Sequence, residues 1–177
     1  MTESWWFNLL VTLLIIAASG FFVIIEFSLM GARRNRLEED AENSRTARAG
    51  LRSLNELTIM LAGAQLGITA ATFVLGAVTK PWVHHLLMAP LEAAGLPLGI
   101  ADVVSFLLAL FIVTFLHLVL GEMAPKSWAI THPETALQFI AVPARGFVWI
   151  FRPLLKWINV MANKLVAMTL ILSLIHI

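Results

Sequence analysis

Residues 116–126 read Leu-His-Leu-Val-Leu-Gly-Glu-Met-Ala-Pro-Lys and close a long apolar run. An acidic side chain at the end of a membrane helix is costly to place, which makes Glu122 a candidate functional residue. Pro125 has no N–H, so the carbonyl of Gly121, four residues earlier, loses its helical partner. A free carbonyl beside a carboxylate offers two hard oxygen ligands, which small divalent cations prefer. The alternative is a plain helix end, with Glu122 in the headgroup region facing Lys126.

The composition is that of an integral membrane protein. Of the 177 residues, 59% are hydrophobic and 13% are charged, against about 45–50% and about 25% in soluble domains. The chain has no cysteine, which excludes thiolate metal sites and disulfides. Its formal net charge of +1 gives no reason to expect a nucleic-acid partner. We therefore expect the lipid bilayer as the surroundings of this chain.

Three apolar stretches, at about 5–30, 57–78 and 102–121, are long enough to cross a hydrocarbon core about 30 Å thick. The first stretch follows Met-Thr-Glu-Ser, which has no basic residue, and it continues past the small residues at 17–20. This favours an uncleaved span over a signal peptide. The fold class is predicted to be an all-α membrane protein with three transmembrane helices.

Residues 31–56 are predicted to form a polar helical hairpin outside the bilayer. They contain six of the twelve Lys and Arg residues, interspersed with Glu38, Glu39, Asp40 and Glu42. The positive-inside rule places this hairpin in the cytoplasm. The protein is then a multi-pass protein of the cell (inner or plasma) membrane, with its N-terminus outside and its C-terminus cytoplasmic.

Prolines divide the connections between and after the spans. In the outer connection, 79–101, Pro81–Leu87 is predicted to be a short interfacial helix. His84 and His85 are adjacent and so point in different directions on a helix, which disfavours a metal site there. Further on, Pro133, Pro143 and Pro153 divide 127–168 into pieces of about ten residues, too short to cross.

The last block is therefore interpreted as juxtamembrane amphipathic helices or a re-entrant hairpin, at about 133–168. Together with the spans it makes residues 1–168 one membrane domain. The end of the chain, from Leu172 to Ile177, fits nothing before it. Residues 169–177 are predicted to be a non-native or truncated tail of a parent protein that continues.

The second span supplies small and neutral polar residues. Gly63 and Gly67 form a GxxxG pair, which lets another helix approach closely. Gln65 and Thr69 are spaced i,i+4 and share one helix face. They either make hydrogen bonds between helices or line an ion site.

Oxygen donors from all three spans are expected at one inner-leaflet level. Glu26 lies near the inner end of the first span, where it either belongs to the site or extends toward Arg33. His117 is expected to be a hydrogen-bond partner rather than a ligand. The predicted metal site consists of Glu122, Gly121, Gln65, Thr69 and Glu26.

Four segments resemble the transmembrane domain of the CorC / cyclin M magnesium-transporter family, whose bacterial members are often called hemolysin-like. They read Gly-Phe-Phe-Val-Ile-Ile-Glu-Phe-Ser-Leu-Met (20–30), Arg-Arg-Asn-Arg-Leu-Glu (33–38), Ala-Gln-Leu-Gly-Ile-Thr (64–69) and Phe-Leu-His-Leu-Val-Leu-Gly-Glu-Met-Ala-Pro-Lys (115–126). The resemblance covers about residues 7–168, and its most specific part is Gly-Glu-x-x-Pro-Lys. Many members have a serine where this chain has Val23, and asparagines in the second span where this chain has Gln65 and Thr69.

The resemblance implies a homodimer, for which the small-residue second span is the expected contact, followed by cytosolic CBS domains that bind ATP. It also implies Mg²⁺ efflux with Na⁺ as the coupling ion, and an ion held between the three helices. Glu122 and Gly121 match the family's ion-binding positions. The alternative function is a non-transporting dimeric membrane anchor or ion sensor for the CBS domains. No His-Glu-x-x-His motif occurs, and we expect no enzymatic activity.

Overall fold

The computed structural model describes residues 2–175, and the surroundings of side chains 5–168. The elements in chain order are α1 (Thr2–Gly31), α2 (Arg34–Ala41), α3 (Arg45–Asn55), α4 (Leu57–Ala93), α5 (Leu98–Leu116), a π-helical segment (His117–Met123), α6 (Ala124–Thr131) and α7 (Pro133–Ile175). Three helical stretches are long and apolar enough to span a membrane: Trp5–Gly31, Leu57–Ala93 and Leu98–Thr131. The predicted all-α membrane fold with three such helices is confirmed.

The GxxxG glycines of α4 allow close packing inside the same chain. A Cβ at Gly63 would lie 2.9 Å from Cγ2 of Val148 on α7, and a Cβ at Gly67 would collide with the ring of Phe22 on α1. The predicted close approach is therefore present, with α1 and α7 of this chain as the neighbours. The contact between Gly67 and Phe22 holds α1 against α4. These two helices carry Glu26, Gln65 and Thr69 of the predicted site.

The main core lies at the arginine-rich end, where α2 and α3 form the predicted hairpin and pack on α7. Leu37 of α2 and Leu137 of α7 are fully buried in it. Ser44 caps α3 by accepting a hydrogen bond from the N–H of Ala47, at 3.2 Å. The other buried members of the main core come from α1, α3, α4 and α7: Ile25, Leu29, Ala49, Met60, Ala64, Ile140, Ala141, Ala144, Val148 and Leu155.

The helix breaks predicted at Pro81, Pro143 and Pro153 are wrong, because the helices continue through these prolines. α4 passes Pro81 and Pro90 to Ala93, so Pro81–Leu87 is not a separate helix. α7 begins at Pro133 and continues through Pro143 and Pro153. A proline removes one backbone hydrogen bond, whereas the buried face of α7 extends from Ala136 to Leu155 across both prolines. Packing along the whole buried face of α7 therefore outweighs the loss of one backbone hydrogen bond at each of these two prolines.

The predicted tail, 169–177, is only partly described. α7 continues to Ile175, while residues 176 and 177 lie outside the described residues. The non-native origin of this tail stays a prediction.

Candidate functional site

The third membrane helix changes its winding at the motif that ends its apolar run. From His117 to Met123 the chain is π-helical, and the N–H of Ala124 donates to the carbonyl of Val119, five residues earlier. α6 then continues past Pro125 to Thr131, so the plain helix end considered from the sequence is wrong. Single π turns inside α-helices are frequently found at functional sites.

The wider turn brings His117 and Glu122 together. Residues five apart lie on different faces of an α-helix, which has 3.6 residues per turn, whereas i to i+5 winding makes them neighbours. Nδ1 of His117 is 3.7 Å from Oε1 of Glu122. The His117 side chain is 7% exposed and that of Glu122 is 40% exposed, so the carboxylate can be reached from outside and the imidazole cannot.

The other side of the imidazole contacts α1. Oγ of Ser19 is 2.9 Å from Nε2 of His117, and both side chains are buried. The expectation that His117 is a hydrogen-bond partner is confirmed. Sequence reasoning missed Ser19, because its partner is 98 residues away and the small residues at 17–20 indicated only a cleavage site. Ser19, His117, Gly121 and Glu122 are named here the Glu122 cluster.

Two glycines let α1 and the π-helical segment approach each other. A Cβ at Gly20 would lie 3.0 Å from Cγ of Pro125 and 3.8 Å from the carbonyl oxygen of Gly121. A Cβ at Gly121 would lie 2.7 Å from Cδ2 of His117. The imidazole therefore lies across position 121 in a space that only glycine leaves free, and the Gly121 carbonyl lies at the contact with α1.

Glu26 and Gln65 form a second polar pair, nearer the arginine-rich end. Nε2 of Gln65 donates to Oε1 of Glu26 over 3.4 Å, which joins α4 to α1. Glu26 is seven residues beyond Ser19 on α1, about 10 Å along the helix axis. Arg33, which the sequence offered as a partner for Glu26, pairs instead with Glu134 at 3.2 Å.

The five predicted site residues thus fall into two groups and one separate residue. Gly121 and Glu122 belong to the Glu122 cluster, and Glu26 contacts Gln65. Thr69 is exposed on α4, and among the described side chains it hydrogen-bonds to neither group. Within those same residues, no set of three or more His, Asp or Glu side chains is arranged to hold a metal ion. An ion here would rely on one or two charged ligands and on neutral oxygens.

The opposite half of the three-helix contact holds a buried hydrogen bond, an apolar layer and a cavity of about 130 Å³ that is lined in part by Thr12, Ile16 and Thr79. Oγ1 of Thr12 on α1 and Oγ1 of Thr79 on α4 are 2.9 Å apart in a buried hydrogen bond. Between this bond and the Glu122 cluster lies a buried apolar layer of Ile16, Leu75 and Val113, one side chain from each helix. These five residues are named here the Thr12 seal.

Known proteins are similar to this chain in sequence. A family model described as the cyclin M transmembrane N-terminal domain matches residues 9–173. An uncharacterized protein of Mycobacterium tuberculosis (strain ATCC 25618 / H37Rv) is 40% identical over 157 residues, which cover 88% of this chain and 44% of the relative. Two Bacillus subtilis (strain 168) relatives, UPF0053 proteins YhdT and YhdP, are 36% and 32% identical over 87% and 89% of this chain, and over 34% and 35% of their own length. The chain spans less than half the length of these curated relatives.

Proposed function

The chain belongs to the family of the cyclin M transmembrane N-terminal domain, and we propose on this premise that it is the membrane part of a divalent-cation transporter. The proposed cargo is Mg²⁺, exported in exchange for Na⁺. The observation that carries the proposal is the π-helical segment, which sets the Glu122 carboxylate beside the imidazole of His117 and the Gly121 carbonyl at the contact with α1. An ionisable residue within a membrane helix is expected to be functional.

The two polar groups differ in their proposed roles. Glu122 supplies the charge and Gly121 a neutral oxygen, while water completes the shell, because Mg²⁺ keeps several of its waters. Glu26 and Gln65 lie nearer the arginine-rich hairpin, which the positive-inside rule assigns to the cytosol. We propose that the ion enters past Glu26 and Gln65 before it reaches Glu122.

Release on the other side requires the Thr12 seal to open. Its three apolar side chains are each at most 7% exposed, with Ile16 the most and Leu75 and Val113 at 2%. An apolar constriction excludes a hydrated ion by dewetting. Transport would proceed by rocking of α1, α4 and α5 relative to one another, which would separate the side chains of the Thr12 seal.

The proposed homodimer would use the part of α4 that is still open. Gly63 and Gly67 already contact this chain, but nothing lies within 4 Å of a Cβ at Gly76, and Thr69 and Thr72 are exposed. Small and hydroxyl-bearing side chains favour contacts between membrane helices. The additional length of the curated relatives leaves room for the cytosolic CBS domains that the family resemblance implies.

The test is Mg²⁺ flux through proteoliposomes carrying the Glu122→Gln variant. This change removes the charge and keeps the size of the side chain, and we expect flux to fall to the level of empty liposomes. Glu39→Gln is the matched control, because Glu39 is exposed on α2, and it should transport like the wild type. Undiminished flux in Glu122→Gln would contradict the proposal. Mg²⁺ binding without flux in the wild type would favour the non-transporting anchor.

A further inference from the structure

The imidazole of His117 uses one of its nitrogens and leaves the other open toward a carboxylate. Nε2 is 2.9 Å from Oγ of Ser19, a normal hydrogen-bond length. Nδ1 is 3.7 Å from Oε1 of Glu122, which is too long for a hydrogen bond. Both atoms face the same gap, at the wide turn of the π-helical segment.

The gap is close to the spacing of two ligands on one ion. Bonds from first-row divalent metals to imidazole nitrogen and carboxylate oxygen are about 2.1 Å long, so two such ligands are separated by about 3.0 Å at the octahedral angle and about 3.4 Å at the tetrahedral angle. The distance between Nδ1 and Oε1 is 3.7 Å, so a small shift of the Glu122 side chain brings both atoms to ligand positions. Glu122 is 40% exposed, which leaves the carboxylate side of the gap open to an incoming ion.

Ser19 supplies what a ligating histidine needs on its far side. A metal-bound imidazole almost always gives its other N–H to a hydrogen-bond acceptor, which fixes the tautomer and the ring orientation. The Ser19 hydroxyl can accept from Nε2–H. That tautomer leaves the Nδ1 lone pair directed at the gap. Because Ser19 is fully buried, water does not compete for this bond.

We infer that His117 is a nitrogen ligand of the transported ion, so that the site binds first-row divalent ions such as Mn²⁺ and Co²⁺ more tightly than Mg²⁺. This inference rests on the proposed function, because it names the cargo class of that same site. Imidazole is a good ligand for first-row transition metals, whose affinity rises from Mn²⁺ to Co²⁺. Mg²⁺ takes oxygen ligands. His117 thereby becomes a specificity-determining residue.

The first test compares the affinities of Co²⁺ and Mg²⁺ for the full chain in lipid nanodiscs. His117→Gln replaces the nitrogen ligand with an amide oxygen, and we expect Co²⁺ affinity to fall by about tenfold or more while Mg²⁺ affinity changes by less than about threefold. Ser19→Ala should weaken Co²⁺ binding by about tenfold. The exposed His132 offers a matched control, and His132→Gln should leave both affinities unchanged. Equal losses for both ions in His117→Gln would overturn the inference, since His117 would then only position Glu122.

The second test detects the nitrogen ligand directly. Electron spin echo envelope modulation of bound Mn²⁺ should show nitrogen coupling in the wild type, and the coupling should change its isotope pattern when histidine is labelled with ¹⁵N. It should disappear in His117→Gln and persist in His132→Gln. Bound Mn²⁺ without nitrogen coupling would overturn the inference and leave the proposed function intact. Failure of Mg²⁺, Mn²⁺ and Co²⁺ all to bind would overturn both.

Discussion

The Glu122 cluster and the Thr12 seal occupy two levels of the same three-helix contact, and they differ in what fills it. The cluster holds a carboxylate, an imidazole and a hydroxyl, joined by one hydrogen bond of 2.9 Å and one gap of 3.7 Å. The seal also has one hydrogen bond of 2.9 Å, but its other members are three aliphatic side chains. A buried hydroxyl pair is satisfied without any ligand, whereas the cluster leaves a charge and a nitrogen facing one another.

This difference comes from the winding of the third helix. α5 is regular along the Thr12 seal and contributes the apolar side chain of Val113 to it. The π-helical segment turns His117 toward α1 and brings Glu122 next to it, although these two residues are five apart. A change in helical period therefore converts a sealed contact into a polar one without a change of helix direction.

The largest expected effect is on the cluster, through Gly121→Ala. The added methyl group would lie 2.7 Å from Cδ2 of His117 and would displace the imidazole, at a cost of about 1–3 kcal/mol. We expect Co²⁺ affinity to fall by about tenfold or more, which corresponds to about 1.4 kcal/mol. Gly146→Ala on α7 is the control because nothing lies within 4 Å of its added methyl group. If Gly121→Ala bound the ion as tightly as the wild type does, ion binding would not depend on the position of His117.

The seal should be weakened by truncation of its apolar layer. Ile16→Ala removes buried volume next to Leu75 and Val113, and water can then enter the layer. We expect a severalfold increase in passive Mg²⁺ leak through proteoliposomes, measured with no opposing Na⁺ gradient. Leu107→Ala makes a similar truncation on an exposed face of α5 and should not leak. An unchanged leak in Ile16→Ala would mean that the apolar layer does not close the path.

The hydrogen bond of the seal should matter for stability rather than for leak. Thr12→Val keeps the shape of the side chain and removes both the bond to Thr79 and the bond that the Thr12 hydroxyl donates to the carbonyl of Asn8. Hydrogen bonds between membrane helices average about 0.6 kcal/mol, and we expect a destabilisation of about that size. A double-mutant cycle with Thr79→Val, read by thermal unfolding in detergent, measures the coupling. Additive effects of the two substitutions would show that the bond contributes nothing.

The smallest effect is expected for the carboxylate of Glu134, which lies outside both the Glu122 cluster and the Thr12 seal. Burial raises the pKa of the Glu134 carboxyl, but hydrogen bonds from its own N–H and from Arg33 outweigh this and hold the pKa below its ordinary value. A lowered pKa stabilises the folded state above the unfolded-state pKa, and the gain is lost as the pH falls through the folded-state pKa.

Glu134→Gln should therefore cost at most about 1 kcal/mol at neutral pH, and the difference from the wild type should shrink as the pH falls through the lowered pKa of Glu134. Unfolding measured across a pH series checks this, with Glu39→Gln as the exposed control. A difference between Glu134→Gln and the wild type that grows as the solution becomes more acidic would contradict the lowered pKa of Glu134.

The sequence predicted the membrane helices and the hairpin well, because these follow from composition and charge. Long apolar runs must be helical in a bilayer, where backbone groups have no water to bond. The antiparallel order of α1 and α4 was also enough to bring Glu26 and Gln65 together, as found. The breaks at Pro81 and Pro143 were wrong, because a local rule about proline competes there with packing along a whole helix.

The cluster itself could be only half predicted. Gly121 and Glu122 were identified from the cost of a charge and from Pro125, both of which are local features. The pairing of His117 with Glu122 was missed, since α-helical spacing places them on different faces and only the π winding brings them together. Ser19 required the contact between α1 and the third helix, which no spacing in the sequence reveals.

The most direct measurement of the central claim is a calorimetric titration of Mg²⁺ into the full chain in nanodiscs, compared with Glu122→Gln, Glu26→Gln and Glu39→Gln. We predict that Glu122→Gln abolishes binding, that Glu26→Gln weakens it by less, and that Glu39→Gln binds as the wild type does. Wild-type binding by Glu122→Gln would show that the ion binds elsewhere in the chain.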